Sequence, residues 1–287
     1  MGLYCLWMYF IQEMISSFSS LGGAIKTKPV IITPSVYTIS PATASTSTTI
    51  SSISYKVYTL TNTTANYYTI TKTGNTTDNI YYMCVGAGGS GWVSGGGAGQ
   101  FREGTISVTN PQTITLSVAP TTTAGNRGSS STMVFSVDTA KNVTSVGGYA
   151  GTTAVGGNDG TSTYIGGNTS SYGGGGGGSN GVGQHGSAGG GGDGGLPKKP
   201  SVPGISAVYP NTWWAAGGPG GYIAGNSYAG AGAGTSGFVL GKGIFLPGYN
   251  ATTANNPNAA ANTGSGGGSS NPQNQGGSGI IVIAIPG

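Results

Sequence analysis

Charged side chains are scarce in this chain. Of its 287 residues, ten are Lys or Arg and six are Asp or Glu, which is 6% against about 25% in an ordinary soluble domain. This shortage excludes highly charged disorder and argues against a coiled coil or a helical repeat. The basic residues are scattered, and Lys198-Lys199 is the only adjacent pair. No basic stripe is present, so we expect no nucleic-acid binding.

Groups for acid–base chemistry are equally few. His185 is the only histidine, and the nearest carboxylate in the sequence is Asp193. A hydrolase or a zinc site needs several such groups together. Residues 86–91 match a dinucleotide-binding glycine pattern, but more glycine follows where a helix would be needed. We therefore expect no enzymatic activity, no metal and no cofactor, with calcium held by a few carbonyls left open as an alternative.

Only two cysteines occur, and their settings differ. Cys5 lies near the start of the chain, whereas Cys84 lies in an apolar, strand-like run. Two buried free thiols are the favoured interpretation, and a disulfide between them is the alternative.

Glycine, by contrast, is abundant and unevenly distributed. The chain has 59 glycines, about three times the usual share, and only Gly2, Gly22, Gly23 and Gly74 precede residue 86. The tracts are aperiodic, which excludes a collagen triple helix. The distribution divides the chain into three zones: 1–25, 26–54 and 55–287.

The first zone, residues 1–25, has a helical period. Its apolar stripe consists of Trp7, Ile11, Met14, Phe18 and Leu21, and Gly22-Gly23 supplies a stop. We expect an amphipathic helix that docks into another subunit through this stripe; packing on its own domain is the alternative, and membrane contact is less favoured. The apolar run is too short to span a membrane. A secretory signal is not expected, because no positive charge precedes that run.

The second zone, residues 26–54, is rich in Ser, Thr and Pro. Pro29, Pro34 and Pro41 disfavour a helix and favour an extended chain. We interpret this zone as an extended arm or linker.

The third zone, residues 55–287, has the pattern of an all-β domain. Short runs rich in β-branched and aromatic residues predict strands, and residues 280–285 are the strongest of them. The predicted strands cover residues 55–60, 67–71, 80–85, 105–108, 113–118, 133–137 and 280–285.

Between residues 147 and 279 the chain is glycine-rich with isolated aromatic residues. An ordered glycine-rich segment must be held by backbone hydrogen bonds and close backbone packing. Polyglycine-type helices with three residues per turn, or stacked glycine-rich loops, would provide both. The aromatic side chains would then pack as plugs between glycine layers.

Two patterns at the ends of the third zone point to a known family. Residues 82–89 run from a strand into a glycine cluster, and residues 276–283 run from Gly-Gly-Ser-Gly into an apolar strand. The arrangement resembles the glycine-rich domain of phage tail-fibre proteins and of virion proteins of large DNA viruses. The likeness spans about residues 55–287. It implies a β-sandwich or jelly-roll-like glycine-rich domain in a virion component, and it implies no catalytic residues.

Trp213 and Trp214 are the candidates for ligand contact. Aromatic rings on rigid loops can stack on sugars, so these two could contact a host glycan or receptor; the alternative is that both are hydrophobic plugs.

Asn-X-Ser/Thr sequons occur at Asn62, Asn75, Asn142, Asn168 and Asn250. In a chain rich in Asn, Ser and Thr several arise by chance.

These patterns support two functions. The favoured one is a structural virion protein, a minor capsid or capsid-surface component in a large assembly, whose N-terminal helix and arm anchor it to other capsid proteins. The alternative is a receptor-binding adhesin at a fibre tip.

Overall fold

A computed structural model describes most of the chain from residue 32 onward. The described residues are 32–92, 94–152, 157–167, 174, 176–183, 185, 192, 194–218, 220, 228–229, 239–240, 243–244, 251–252, 259, 261–268 and 274–287. The helix predicted for residues 1–25 lies outside them. Residues 34–287 form one unit, to which the following description applies.

The described elements are almost all strands, which confirms the all-β prediction. They are β1 (Val36–Ser40), β2 (Ser45–Ile50), β3 (Ile53–Leu60), β4 (Tyr68–Thr73), β5 (Asp78–Val85), β6 (Phe101–Val108), β7 (Gln112–Ser117), β8 (Ser131–Phe135), a 3-10 turn (Thr139–Lys141), β9 (Val143–Ser145), α1 (Ile205–Val208), β10 (Thr212–Trp213), β11 (Tyr228–Ala229), β12 (Val239–Leu240), β13 (Gly243–Ile244), β14 (Ala251–Thr252) and β15 (Ile280–Pro286).

Two five-stranded antiparallel sheets make up the sandwich. The outer sheet has the order β1-β4-β7-β8-β9, and the central sheet has the order β2-β3-β15-β5-β6. The short strands form a three-stranded group, β10-β12-β13, and a pair, β11-β14. In the outer sheet, buried and partly exposed residues alternate along β4, β7 and β8, so one face packs on the core and the other faces solvent.

The central sheet is covered on both faces. One face shares a core with the outer sheet, including Leu60, Ile114 and Phe135. The other face packs against α1 and Trp214 in a second core. This double burial explains why β15, which lies between β3 and β5, is a continuous apolar run: residues 280–285 are all buried.

The zone predicted as an arm, residues 26–54, contributes to both sheets where it is described. β1 pairs with β4 along five residues, and β2 pairs with β3 along six. In the described part of this zone, residues 36–50 belong to the sandwich. The sequence pattern concealed this, because both strands lie at sheet edges and β2 is Ser/Thr-rich with few buried positions.

At one end of the sandwich the strands run directly into a bundle of extended segments, here called the polyglycine bundle. Its segments are 86–91, 94–100, 126–129, 146–152, 157–160, 174–178, 194–195, 214–218, 263–268 and 274–279, within the described residues.

Segment 94–100 shows the hydrogen bonding of the bundle most fully. All seven of its backbone N–H groups donate to other segments, at N···O distances of 2.8–3.0 Å. Every third group donates to the same neighbour: three reach 146–152, two reach 174–177 and two reach 264–267. A period of three with no bond inside the segment is the signature of a helix with three residues per turn. Polyglycine-type helices, predicted as one of two possibilities, are therefore present.

Segment 86–91 repeats the pattern with other partners. Two of its N–H groups donate to 97–100, two to 126–129 and two to 274–277. Since segment 97–100 is shared, the segments form one continuous network of backbone hydrogen bonds.

Close approach between backbones explains the glycines of this bundle. A Cβ added to Gly97 would lie 1.8 Å from the Asn158 carbonyl oxygen, and one added to Gly266 would lie 1.8 Å from that of Gly96. Real Cβ atoms do not come nearer than 3.0 Å to such atoms. Neither glycine has a positive φ, so contact distance requires glycine here, whereas Gly264 (φ +65°) requires it for its dihedral angle as well.

Candidate functional site

Trp213 and Trp214, the two residues predicted to contact a ligand, differ in their exposure to solvent. Trp214 is 1% exposed, and its ring packs edge-on against Tyr209 at a centroid distance of 5.5 Å. It is a hydrophobic plug beneath the central sheet. Trp213 is half-buried, and the Lys199 ammonium lies 5.7 Å from its ring centroid. Of the pair, only Trp213 offers an accessible ring.

Two other aromatic residues that were predicted to be plugs, Tyr149 and Tyr164, are more exposed than Trp214. Tyr149 lies at the surface of the bundle, 37% exposed, with the Arg127 guanidinium 3.8 Å from its ring centroid. Tyr164 is half-buried. The side chains of Tyr172, Tyr222, Tyr228, Phe238, Phe245 and Tyr249 lie outside the described residues.

A cleft opens at the edge of the sandwich, between β6 of the central sheet and the 3-10 turn and β9 of the outer sheet. We call it the edge cleft. It has a volume of about 520 Å³ and is lined by Tyr82, Gln100, Phe101, Arg102, Glu103, Ile106, Lys141, Asn142, Val143 and Lys198. A Cβ added to Gly104 would lie 3.2 Å from the Tyr82 ring, so this ring packs directly over the glycine.

Three cations and one carboxylate line the edge cleft. Glu103 is already bound, since its oxygens accept bonds from the Ser201 N–H and hydroxyl at 2.7 Å each, and the Lys198 ammonium lies 3.4 Å away. Burial raises the pKa of Glu103, but these bonds and Lys198 outweigh it and hold the pKa below its ordinary value. The carboxylate therefore stays ionised and fixes the loop around Ser201 to β6.

Arg102, which is exposed, is the cation of the edge cleft without a carboxylate partner among the described residues. Its Nη1 donates to the Thr144 carbonyl at 3.2 Å. Among the described residues no carboxylate lies within 4.0 Å of it, whereas Lys141 pairs with Asp138 at 3.1 Å. The hydrogen bond from Gln112 and the contact with Lys141 lower the pKa of Asp138, so this partner also stays ionised.

A second ionic site lies inside the sandwich and was not predicted. The Lys72 side chain is 0% exposed, and its ammonium donates to the carbonyls of Gly74, Thr76 and Thr109 at 3.3, 2.9 and 3.2 Å. Asp78 lies 3.6 Å away. The period of two along β4 places Lys72 on the buried face that holds Tyr68 and Ile70, and this is the sequence signal that could have found it.

Tyr37 completes the surroundings of Lys72. Its hydroxyl donates to Asp78 at 3.0 Å, and its ring centroid lies 5.9 Å from the ammonium. Burial first, then the Asp78 charge, raises the pKa of Tyr37, so its hydroxyl remains a donor. The group holds two turns together, β4 to β5 and β6 to β7, and serves structure rather than ligand binding.

Several other predicted residues have a place in the structure. Cys84 is a buried free thiol, as predicted, and burial raises its pKa to about 12. His185 is exposed. Asn142, one of the sequon residues, accepts a bond from the Phe135 N–H at 2.8 Å. The predicted docking residues Trp7, Ile11, Met14, Phe18 and Leu21, like Cys5 and Asp193, lie outside the described residues.

Within the described residues, no group of three or more His, Cys, Asp or Glu side chains is placed to hold a metal ion. None of the helices found there has the length and apolar character needed to cross a membrane.

Comparison with known proteins yields one family. A family model described as "Glycine-rich domain" matches residues 61–286. That range includes the edge cleft, the polyglycine bundle and most residues of both cores, whereas β1, β2 and β3 precede it. No curated protein and no solved structure matches the chain.

Proposed function

The chain belongs to the glycine-rich domain family, and from that premise we propose that it is a non-enzymatic structural protein of a virus particle. Its place in the particle is that of a minor capsid or capsid-surface component, located in the virion and in contact with other capsid proteins. The likeness of residues 82–89 and 276–283 to glycine-rich domains of virion proteins supports this assignment.

The polyglycine bundle is the observation that carries the proposal. The backbone N–H groups of its segments donate hydrogen bonds to neighbouring segments on three sides. At many of its glycines, a carbonyl oxygen of another segment lies close to the position that a Cβ would take. Such a body is suited to hold a fixed shape, because each segment is tied to several neighbours and few side chains need to be ordered. A fixed shape is what a component repeated in a particle requires.

The N-terminal segment is the proposed anchor. The stripe from Trp7 to Leu21 precedes residues 34–287, which form one unit of their own. A terminal apolar stripe is costly to leave in water. We propose that it docks into a neighbouring capsid subunit.

Chemical cross-linking of intact particles, followed by mass spectrometry, tests the proposal. Lys26 and Lys28 follow the apolar stripe, whereas Lys198 and Lys199 lie on the sandwich unit. We expect Lys26 and Lys28 to cross-link to other capsid proteins. Absence of the chain from purified particles would contradict the virion role, and cross-links from Lys26 and Lys28 confined to their own chain would contradict the anchor.

Receptor binding at a fibre tip is the second candidate, and the half-buried Trp213 beside Lys199 favours it. Attachment of particles carrying Trp213→Ala to host cells tests it, with Tyr149→Ala as a control for loss of a surface aromatic ring elsewhere. A role in attachment predicts a loss for the first variant and none for the second. Equal attachment by both variants and the original chain would rule out Trp213 as a receptor contact.

A further inference from the structure

We propose that the edge cleft binds an acidic saccharide, a sugar that carries a carboxylate or sulfate group. This inference goes beyond the structural role above and does not depend on it. It rests on the composition of the cleft lining, on its location and on the state of each polar group there.

The charged side chains of the edge cleft are mostly hydrogen-bond donors. Arg102, Lys141 and Lys198 are cations, and the one lining carboxylate, Glu103, is occupied by Ser201 and Lys198. Counting Asp138 beside Lys141, the local balance is still one positive charge in excess, and that excess belongs to Arg102. A ligand rich in acceptor oxygens and carrying negative charge fits such a lining.

Two amide side chains add neutral donors. The Gln100 Oε1 accepts the Val146 N–H at 3.1 Å, and the Asn142 Oδ1 accepts the Phe135 N–H at 2.8 Å. Because a backbone N–H binds each amide oxygen, the NH₂ group of each amide is its remaining donor. Sugar hydroxyls accept such bonds.

Aromatic surface distinguishes a sugar from a bare anion. Tyr82 lines the edge cleft, and its half-buried ring packs over Gly104. Phe101 also lines the cleft, but the Lys198 ammonium already lies over its ring, 5.1 Å from the centroid, so Tyr82 is the aromatic surface offered to a ligand. A pyranose ring has an apolar C–H face that packs on such rings, whereas an inorganic ion gains nothing from them. The volume, about 520 Å³, lies within the range of small-molecule sites.

The edge cleft is also held open by its surroundings. Its β6 wall is fixed by eight paired positions with β5, and Glu103 ties the loop containing Ser201 to that wall. A preformed site loses little conformational entropy when a ligand enters.

Titration of the full chain by ¹H–¹⁵N NMR tests the proposal, with glucuronic acid and glucose 6-sulfate as acidic probes. Glucose is the neutral control, and acetate and sulfate ions are the controls for charge alone. We expect both acidic sugars to bind at least about tenfold more tightly than glucose, since one charge-assisted bidentate contact has about that effect. A preference between the two sugars identifies the acidic group.

Arg102→Gln should weaken binding of both acidic sugars about tenfold. Arg127→Gln is the matched control, because Arg127 also donates to one backbone carbonyl, that of Gly147, but lies outside the edge cleft. It should leave affinity unchanged. Higher salt should weaken the acidic sugars and leave glucose unaffected.

Three results would overturn the proposal: glucose binding as tightly as the acidic sugars, acetate or sulfate binding as tightly as the corresponding sugar, or equal loss in the two arginine variants. Gly104→Leu gives an independent check, since its side chain would push aside the Tyr82 ring, which packs over this glycine, and so remove the surface on which a sugar would pack. Undiminished binding by a folded Gly104→Leu chain would place the ligand elsewhere.

Discussion

At the scale of single residues, the bundle glycines are defined by how closely another backbone approaches them. Gly97 and Gly266 face carbonyl oxygens at distances where no side chain fits. Gly104 differs, since its nearest neighbours are atoms of the half-buried Tyr82 ring at 3.2 Å. Composition alone shows an excess of glycine but does not show which glycines are in contact with backbone.

Gly266→Ala should therefore destabilise the fold strongly, by about 3 kcal/mol or more, because the Gly96 carbonyl would have to move and its hydrogen-bonded neighbours with it. Gly104→Ala is the control and should change the free energy of unfolding by less than about 1 kcal/mol, since the Tyr82 ring can shift. Urea denaturation measures both. Equal effects would show that backbone contact does not select glycine in the bundle.

Glu103→Gln should lower stability at neutral pH by about 1 kcal/mol, since the glutamine keeps an acceptor but loses the charge. The folded pKa of Glu103 lies below its unfolded value of 4.5. Its stabilisation is thus complete above that unfolded value and is lost as the pH falls through the folded pKa. Denaturation of both chains between pH 3 and 7 should show the difference shrinking towards the acid end. A difference independent of pH would exclude the charge as its source.

At the scale of elements, Lys72 connects two turns that lie side by side, because the strands flanking them pair at Lys72–Gln112 and at Asp78–Val108. Its ammonium binds carbonyls from the β4–β5 turn and, through Thr109, from the β6–β7 turn. Each turn joins a strand of one sheet to a strand of the other, and the Thr77 and Thr109 hydroxyls are hydrogen-bonded at 2.9 Å, so Lys72 and this hydroxyl pair together link the turns at this edge.

Lys72→Met should cost about 3 kcal/mol, because it leaves three carbonyls and the Asp78 charge without their buried partner. Lys56→Met, on the exposed side of β3, is the matched control and should change stability by less than about 0.5 kcal/mol. Thermal unfolding measures both. A Lys72 variant as stable as the control would contradict the structural role of the buried ammonium.

The strands show how much of the fold could be predicted from the sequence pattern. All seven predicted strands are present, and β15 was clearest because burial on both faces leaves only apolar residues. β1 and β2 were not predicted, because a sheet edge imposes weaker selection on side chains.

The edge cleft was not predicted either: Arg102 lies opposite Cys84, and Lys141 and Lys198 approach it from distant parts of the chain. Only the folded sheet order brings these three cations together.

At the scale of the whole molecule, the two cores and the bundle share their segments. β5 leaves the sandwich at Val85 and continues as segment 86–91, while segment 274–279 returns as β15. Because the same backbone passes from sheet to bundle, we expect the two regions to unfold together.

The reactivity of the Cys84 thiol tests whether the sheets and the bundle unfold together. It is 0% exposed and its pKa is raised to about 12, so a thiol reagent at neutral pH should modify it only after unfolding. Pulsed alkylation along a urea gradient, with peptides separated by mass spectrometry to distinguish Cys84 from Cys5, should give a midpoint equal to that from tryptophan fluorescence. Labelling of Cys84 well below that midpoint would show that the central sheet opens independently.

The place of β15 in the central sheet has a consequence for synthesis. β3 and β5 lie on either side of it, and they precede it by about 200 residues in the chain. On the ribosome, β3 and β5 emerge long before β15. Until β15 is made, the edges of β3 and β5 that pair with it remain unpaired. Pairings so distant in sequence close slowly, and open strand edges recruit other chains. The newly made protein therefore passes through an aggregation-sensitive interval that ends only when residues 280–286 insert, and chaperones that shield strand edges should raise its yield.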